Sequence, residues 1–473
     1  MVAFAAALLS LAIVTQDKAA LRAAPGTAAA VHAQLWQGEL LEVRGSRLDH
    51  LQVYDHRRER AGFVRATQVR ELALTEAEAP QLKAVMRFLR DTPGSEALGI
   101  AYVAAYLKAA PAGSIDAEPF DALGVMAQRL AQRAAAVQSA TVAAHIEVVA
   151  QYGVKYDSHE LRDRVQLCYD GEAFRRVLAM GPAQASPQQR ARATLALTRH
   201  DCIDASMRPT ERRALDRWRA QLLDGLEPAA LARLDAATSN RLHLRRAGVW
   251  AAIAFDQSRH DEPTQAAAQR ALDELAAVDK SELTEDDLPD YSEAAIRVGA
   301  TRWAAVPSAA QGGRLQLRLR PGEPGQTCVQ LIDTQAKAAA PLAQRCTYAT
   351  VWAASAKASP DGRALTVAVQ PIEGWSELWL WHRQGADWGV DVLPPTSAGA
   401  GLGYAEFAGW VQGGSRRLLL VREARTQERW VRRFEQVSTE SLVAEKSAGS
   451  AQGVAGFGQW ADVAWRSGTL SLR

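Results

Sequence analysis

Hydrophobic and polar positions change rhythm twice along the chain. From Lys18 to Leu74 the apolar residues alternate or fall in short runs broken by turn residues. Pro25-Gly26 makes one break and Gln37-Gly38 splits the runs of QLWQGELLEV. Leu51 and Val53 alternate in HLQVYD, and the polar DHRRERAG precedes Phe63-Val64. Strands this short, this close together and joined by glycine turns predict a small β-barrel. From Thr75 to about Ala300 the period lengthens. Leu82, Val85, Met86 and Leu89 fall on one face of a helix, and Thr75 with Glu78 has the spacing of a capping box. Further on, Leu215, Trp218, Leu222 and Leu223 share a face behind Pro209-Thr210. A second helix pair carries a seam of small residues at Ala251, Ala254, Ala267 and Ala271. This stretch predicts an all-α bundle or array.

Beyond Pro307 the rhythm shortens again and repeats. Four segments each begin with an aromatic residue (Trp303, Trp352, Phe407, Trp460), pass a turn and enter an apolar strand. The turns are Gly312-Gly313, Asp361-Gly362, Gly413-Gly414 and Ser467-Gly468, and the aromatic residues recur about every 50 residues, the period of blade-like hairpin pairs. Ser359-Pro360-Asp361-Gly362-Arg363 resembles the blade turn of TolB-like and WD-type propellers. Three full units and a two-strand stub predict a propeller-like stack or a sandwich, with a closed small propeller as the alternative. Trp379 and Trp381 face one way and Leu378 and Leu380 the other, which predicts a strand covered on both sides. Ten of the 13 tryptophans lie in this region. They suit blade cores or a face that binds glycan or peptide.

The first module resembles the bacterial SH3 (SH3b) domains. Leu21-Arg22-Ala23-Ala24-Pro25-Gly26-Thr27 matches that family's opening segment, and Leu35, Gly38, Leu41 and Val43 match its hairpin. Leu51-Gln52-Val53-Tyr54 and Ala61-Gly62-Phe63-Val64 match its closing strands. The resemblance implies a groove that docks peptide, with Trp36, Tyr54 and Phe63 as its rings and Arg57, Arg58 and Arg60 as a basic loop tip suited to an anionic wall polymer. The family usually has an aromatic residue where Leu51 or His50 stands. The helix pair with the alanine seam looks a little like a tetratricopeptide unit, but one copy is visible where a stack needs about three.

Composition narrows the choices. The chain has 473 residues, 48% hydrophobic and 23% charged, with net charge +2. That balance argues against nucleic-acid binding, which draws on a basic excess. Met1–Val14 is an uncharged apolar run, shorter than the roughly 20 residues of a membrane span and near the 7–15 of a signal-peptide core. It is read as a leader over residues 1–15. Four cysteines, Cys168, Cys202, Cys328 and Cys346, suggest two within-domain disulfides and an oxidising compartment.

Candidate chemistry changes little. No nucleophile elbow, zinc helix, Walker loop or dinucleotide fingerprint is present. Gly399–Gly403 reads as a connecting loop. His159-Glu160 with Asp163, His200-Asp201 and His260-Asp261-Glu262 place acids beside imidazoles without the i, i+4 histidine spacing of a metal helix. No catalytic residue, metal ligand or cofactor is assigned.

The sequence therefore predicts a multidomain α+β protein: a leader (1–15), an SH3b-like barrel (18–74), a helical domain (75–300) and a β-rich propeller-like or sandwich domain (301–473). The expected role is an exported, periplasmic or secreted, non-enzymatic binding or scaffold protein of the bacterial envelope. Its expected partners are cell-wall peptide or envelope proteins, without nucleic acid and without a stable membrane span. A cell-wall hydrolase, amidase or peptidase, targeted by the same module is the alternative.

Overall fold

Alternating residues pair first. The computed structural model describes residues 10–161, 164–306, 313–336, 340–397, 399, 401–426 and 429–468. Seven strands form one antiparallel sheet: β1 (Ser10–Val14), β2 (Ala19–Arg22), β3 (Val31–Leu35), β4 (Leu40–Arg47), β5 (His50–Asp55), β6 (Arg60–Arg65) and β7 (Val69–Leu72), in the order β3-β2-β6-β5-β4-β1-β7. Val14, Leu21, Leu35, Leu41, Val53 and Val64 meet in one cluster, so the sheet curls round a single core. The expected barrel is corrected: the sheet stays open, because its end strands β3 and β7 pair with β2 and β1 and not with each other.

Residues 1–9 lie outside the described residues, but Ser10–Val14 is strand β1, registered between β4 and β7 with Ala12, Ile13 and Val14 fully buried. The stretch read as a leader over residues 1–15 thus includes strand β1. The Gln37-Gly38 turn closes against the end of β1, where the Gly38 N–H donates to the Val14 carbonyl at 2.8 Å. Gly38 has φ +90°, and a Cβ there would stand 2.6 Å from the Ala97 carbonyl oxygen, so both conformation and space demand glycine.

The helices begin with α1 (Ala79–Arg90), α2 (Glu96–Ala109), α3 (Glu118–Ala136) and α4 (Ala140–Ala150). Leu82, Met86 and Leu89 are buried as the period requires. The expected capping box does not form. Glu78 instead accepts from the Ala73 and Leu74 N–H groups at 2.9 Å each, tying the helix to the end of β7. A hairpin, β8 (Tyr156–Leu161) with β9 (Arg164–Tyr169), interrupts the stretch expected to be all helix. Then come α5 (Glu172–Ala179), α6 (Pro187–Leu197), α7 (Pro209–Asp224), α8 (Pro228–Leu231), α9 (Ala236–Arg259), α10 (Gln265–Ala276) and α11 (Leu288–Thr301). On α7 the buried face is Asp216, Arg219, Ala220 and Leu223, turned from the predicted apolar stripe. Asp216 accepts from Arg219 at 2.7 Å and from Arg212 at 2.8 Å, so paired charge takes the inner face. The alanine seam of α9 and α10 is buried at all four positions.

The chain divides into two compact units, Met1–Arg208 with Leu226–Leu234 and Pro209–Gly225 with Asp235–Arg473. In the second unit the repeats become three meanders. The first is β10 (Leu315–Pro321), β11 (Thr327–Asp333) and β12 (Ala343–Thr347). The next is β13 (Thr350–Ala358), β14 (Ala364–Ile372), β15 (Trp375–Gln384) and β16 (Asp387–Leu393). The last is β17 (Gly403–Trp410), β18 (Arg417–Thr426), β19 (Arg429–Ser438) and β20 (Ala444–Ala448), joined to the second by a short parallel pairing of β15 and β17.

Strand β15 is covered on both sides, as its pattern requires. Trp379 and Trp381 pack with Leu315, Val329 and Leu331 of the first meander, while Leu378 and Leu380 pack with Phe407, Leu418 and Leu420 of the last. Two equivalent turns also bind each other: the Asp361 carboxylate accepts from the Ser415 N–H at 3.0 Å and its hydroxyl at 2.8 Å.

The outer repeats depart from the pattern. Trp303 lies in the 3-10 turn Arg302–Ala305, and Gly312 lies outside the described residues. The fourth copy is helical, α12 (Ala455–Trp460) and α13 (Val463–Gly468), and its last five residues lie outside the described ones. Phe457, Ala461 and Trp465 cover Leu419, Val421 and Phe434, so helices stand where a further sheet would stack. Among the described residues no sheet closes into a barrel and no ring of blades forms.

Candidate binding surfaces

The six residues expected to form the groove of the first module do not form one surface. Trp36 turns inward, packing with the cluster of α1 to α4 and meeting His145 of α4 edge-on at 6.4 Å. Arg58 donates to Glu39 at 2.8 and 2.9 Å and to Asp55 at 2.6 Å, and both carboxylates are buried. The Glu39 hydrogen bond is the main cause that raises the Arg58 pKa, and burial opposes it. Arg57 pairs with Glu147 on α4. The loop expected to offer free positive charge therefore fastens the sheet to a helix. Arg60 reaches the His32 carbonyl at 3.5 Å.

What remains open is Tyr54 and its surroundings. The Arg44 guanidinium lies 4.0 Å over the Tyr54 ring, and His56 meets that ring at 4.9 Å. Glu42 accepts from Arg44 at 3.0 Å and contacts the His56 imidazole at 2.6 Å; these partners, Arg44 first, hold its carboxyl below the usual range. Phe63 is half-buried on β6 in register with Gln52. Tyr54, Arg44 and His56 thus give the sheet a surface of ring and charge that donates hydrogen bonds and stacks on planar groups.

Beneath the module lies a polar joint that sequence reasoning missed. His145 is buried with its Nε2 2.8 Å from Asp17, and Gln37 donates to Asp17 at 3.3 Å and to the Gly94 carbonyl at 3.0 Å. Asp17 and His145 are 128 positions apart, so no local pattern joins them.

Of the ten tryptophans from Trp303 onward, most are core. Trp352, Trp375, Trp379, Trp381, Trp410 and Trp465 are buried, and Trp303, Trp388 and Trp430 are half-buried. Trp460 alone among the ten is exposed, which leaves no open tryptophan face for glycan. A narrow cleft does open between β13, β17 and α13, lined by Trp303, Ser355, Lys357, Glu406, Asp462 and Trp465. Its free space is about 10 Å³, room for one water molecule. Glu406 pairs with Arg302 at 2.7 Å and accepts from the Trp465 indole at 2.7 Å, with both charges buried. Lys357 lies 3.7 Å from Asp462 at the rim. The Ser355 hydroxyl donates to the Trp352 carbonyl at 2.6 Å and accepts from the Ala368 N–H at 2.7 Å, so it bridges a β-bulge and is not poised to react. The alternating polar positions Ser355 and Lys357 in TVWAASAKA were the signal available in the sequence.

Two of the histidine-acid motifs, His159-Glu160 and His200-Asp201, meet through the backbone of Asp201. The His159 imidazole contacts the Asp201 carbonyl at 3.1 Å and that of His260 contacts the Asp256 carbonyl at 2.8 Å. Asp163 lies outside the described residues. Among the described residues no group of three or more His, Cys, Asp and Glu side chains converges to hold a metal ion. No described helix is long and apolar enough to cross a membrane.

The cysteines pair as expected, Cys168 with Cys202 and Cys328 with Cys346. The first pair ties β9 to the loop that follows α6. The chain matches no family model, no curated protein and no solved structure.

Proposed function

We propose that this chain is an extracytoplasmic binding or scaffold protein of the bacterial envelope, docking through its N-terminal SH3b-like module to cell-wall peptide or an envelope protein. The observation that carries the reading is the pair of disulfides, one in each compact unit. Each closes a loop whose entropy in the unfolded chain is worth about 3–4 kcal/mol, a gain that persists where thiols stay oxidised. The docking surface is narrower than the six residues of the sequence reading. Arg57, Arg58 and Trp36 are held in internal contacts, so Tyr54, with Arg44 and His56 beside it and Phe63 on the neighbouring strand, supplies the contact.

The test is co-sedimentation with purified peptidoglycan, run beside a zymogram of the same preparation. Retention without clearing, weakened in Tyr54→Ala, supports the reading. Clearing of the gel overturns the non-enzymatic role, and absence of retention overturns the wall as partner.

A further inference from the structure

The two disulfides sit in different surroundings. Cys168 is buried and Cys202 half-buried, in a bridge that spans 34 positions between a strand and a loop. Cys328 and Cys346 are directly opposite on neighbouring antiparallel strands, β11 and β12, with their Cα atoms 3.9 Å apart. Strand β12 is an end strand of its sheet, and Cys346 on it is exposed to solvent while Cys328 is buried. Arg320 on β10 is registered against Cys328 and is also exposed, so arginine and disulfide stand in one row on the same face of the sheet. Gln344 donates to the Cys346 sulfur at 3.6 Å.

We infer that Cys328–Cys346 is a thiol-exchange site, opened by small thiols and dithiols at Cys346, while Cys168–Cys202 is a structural link. Exchange requires an attacking thiolate to reach one sulfur in line with the other and a leaving sulfur that tolerates negative charge. The exposed Cys346 supplies the first condition and Arg320 beside Cys328 the second. An incoming thiolate forms a bond to Cys346 Sγ as the Sγ–Sγ bond breaks, and the electron pair leaves on Cys328 Sγ. With a dithiol, its second thiolate attacks its own sulfur in the mixed disulfide and releases Cys346. The reductant ends as a disulfide, and the two cysteines take up the two protons it gave. Opening the bridge removes the covalent tie between β12 and β11 and leaves the pairing of Thr327–Leu331 with Ala343–Thr347 to hold the end strand. This inference goes beyond the proposed docking role and does not depend on it.

The experiment uses the folded full-length chain under limiting dithiothreitol, quenched at intervals by alkylation and read by peptide mapping. Cys328 and Cys346 are expected to be labelled about tenfold faster than Cys168 and Cys202, or more. Equal rates, or labelling of Cys168 and Cys202 first, overturn the proposal. With reduced glutathione as the probe, the mixed disulfide is expected on Cys346, and its accumulation on Cys328 instead overturns the direction of attack. Arg320→Gln is expected to slow opening about twofold to threefold, because the leaving thiolate loses a neighbouring positive charge. An unchanged rate in that variant overturns the part assigned to Arg320.

Discussion

The two β regions bury their strands by different means. In β1 to β7 one face of a curled sheet meets a single core, so side chains alternate between Leu51 or Val53 inside and Gln52 outside. In β14 and β15 both faces are covered, by the meanders on either side, and every residue from Ala364 to Gln370 is buried. The difference teaches what alternation reports. It registers water on one side of a strand, and where a second sheet replaces the water the alternation of polarity disappears while the alternation of partners remains. Trp379 and Trp381 still point away from Leu378 and Leu380, but each pair now has a sheet to meet.

Substitutions sharpen that comparison, taken from the largest expected effect. Trp381→Ala, at a fully buried ring between two sheets, should destabilise the second unit by about 4 kcal/mol in denaturant titration. Leu21→Ala, equally buried in the single core of the first sheet, should cost about 3 kcal/mol. A larger loss for Leu21→Ala would mean that the two-sided stack has more freedom to collapse than its packing implies.

A third substitution tests how the first unit is held outside its sheet. Glu96 is buried at the start of α2 and accepts from Arg129 at 2.6 Å and from the Gly94 N–H at 3.0 Å, with Arg133 also paired to it. Burial opposes its ionisation, but the Gly94 N–H and these arginines outweigh it and hold the carboxyl below the usual range. Glu96→Gln should cost about 2 kcal/mol, reduced from a fully buried pair because the arginines reach solvent. The contribution of the carboxylate is present above the unfolded-state pKa of about 4.3 and is lost as pH falls through the lower folded value. Acid titration of stability should therefore be steeper for wild type than for Glu96→Gln, and parallel curves would remove the ion pair from the account.

The smaller effects follow. Gly38→Ala should cost about 1–2 kcal/mol, from a left-handed backbone and the collision with the Ala97 carbonyl. Tyr54→Ala should change stability by about 0.5 kcal/mol or less, as a partly exposed position, while lowering retention on peptidoglycan. A large stability loss there would make Tyr54 part of the packing and not of the docking surface.

Apolar positions with near neighbours were legible, and buried paired charge was not. The α1 face of Leu82, Met86 and Leu89, the Gln37-Gly38 turn and the two-sided β15 could be read directly, because neighbours within a few residues specify them. The α7 face could not, since Asp216 is buried by virtue of Arg212 and Arg219, and a pattern of hydrophobicity counts such residues as outward. Paired charge also changed the picture at the basic loop of the first module. Arg57 and Arg58 look like free charge until Glu39, Asp55 and Glu147 are brought beside them.

By itself the sequence determined the periods, the turns that need glycine, the repeated hairpins and the pool of four cysteines, all of which act over short stretches of backbone. The tertiary structure decided which cysteines met, which charges were neutralised, that β1 was drawn from the apolar start of the chain, and that helices ended the stack of sheets. Most of those outcomes depend on residues about 20 to more than a hundred positions apart, whose meeting is set by how the faces of whole elements are buried and not by any local preference.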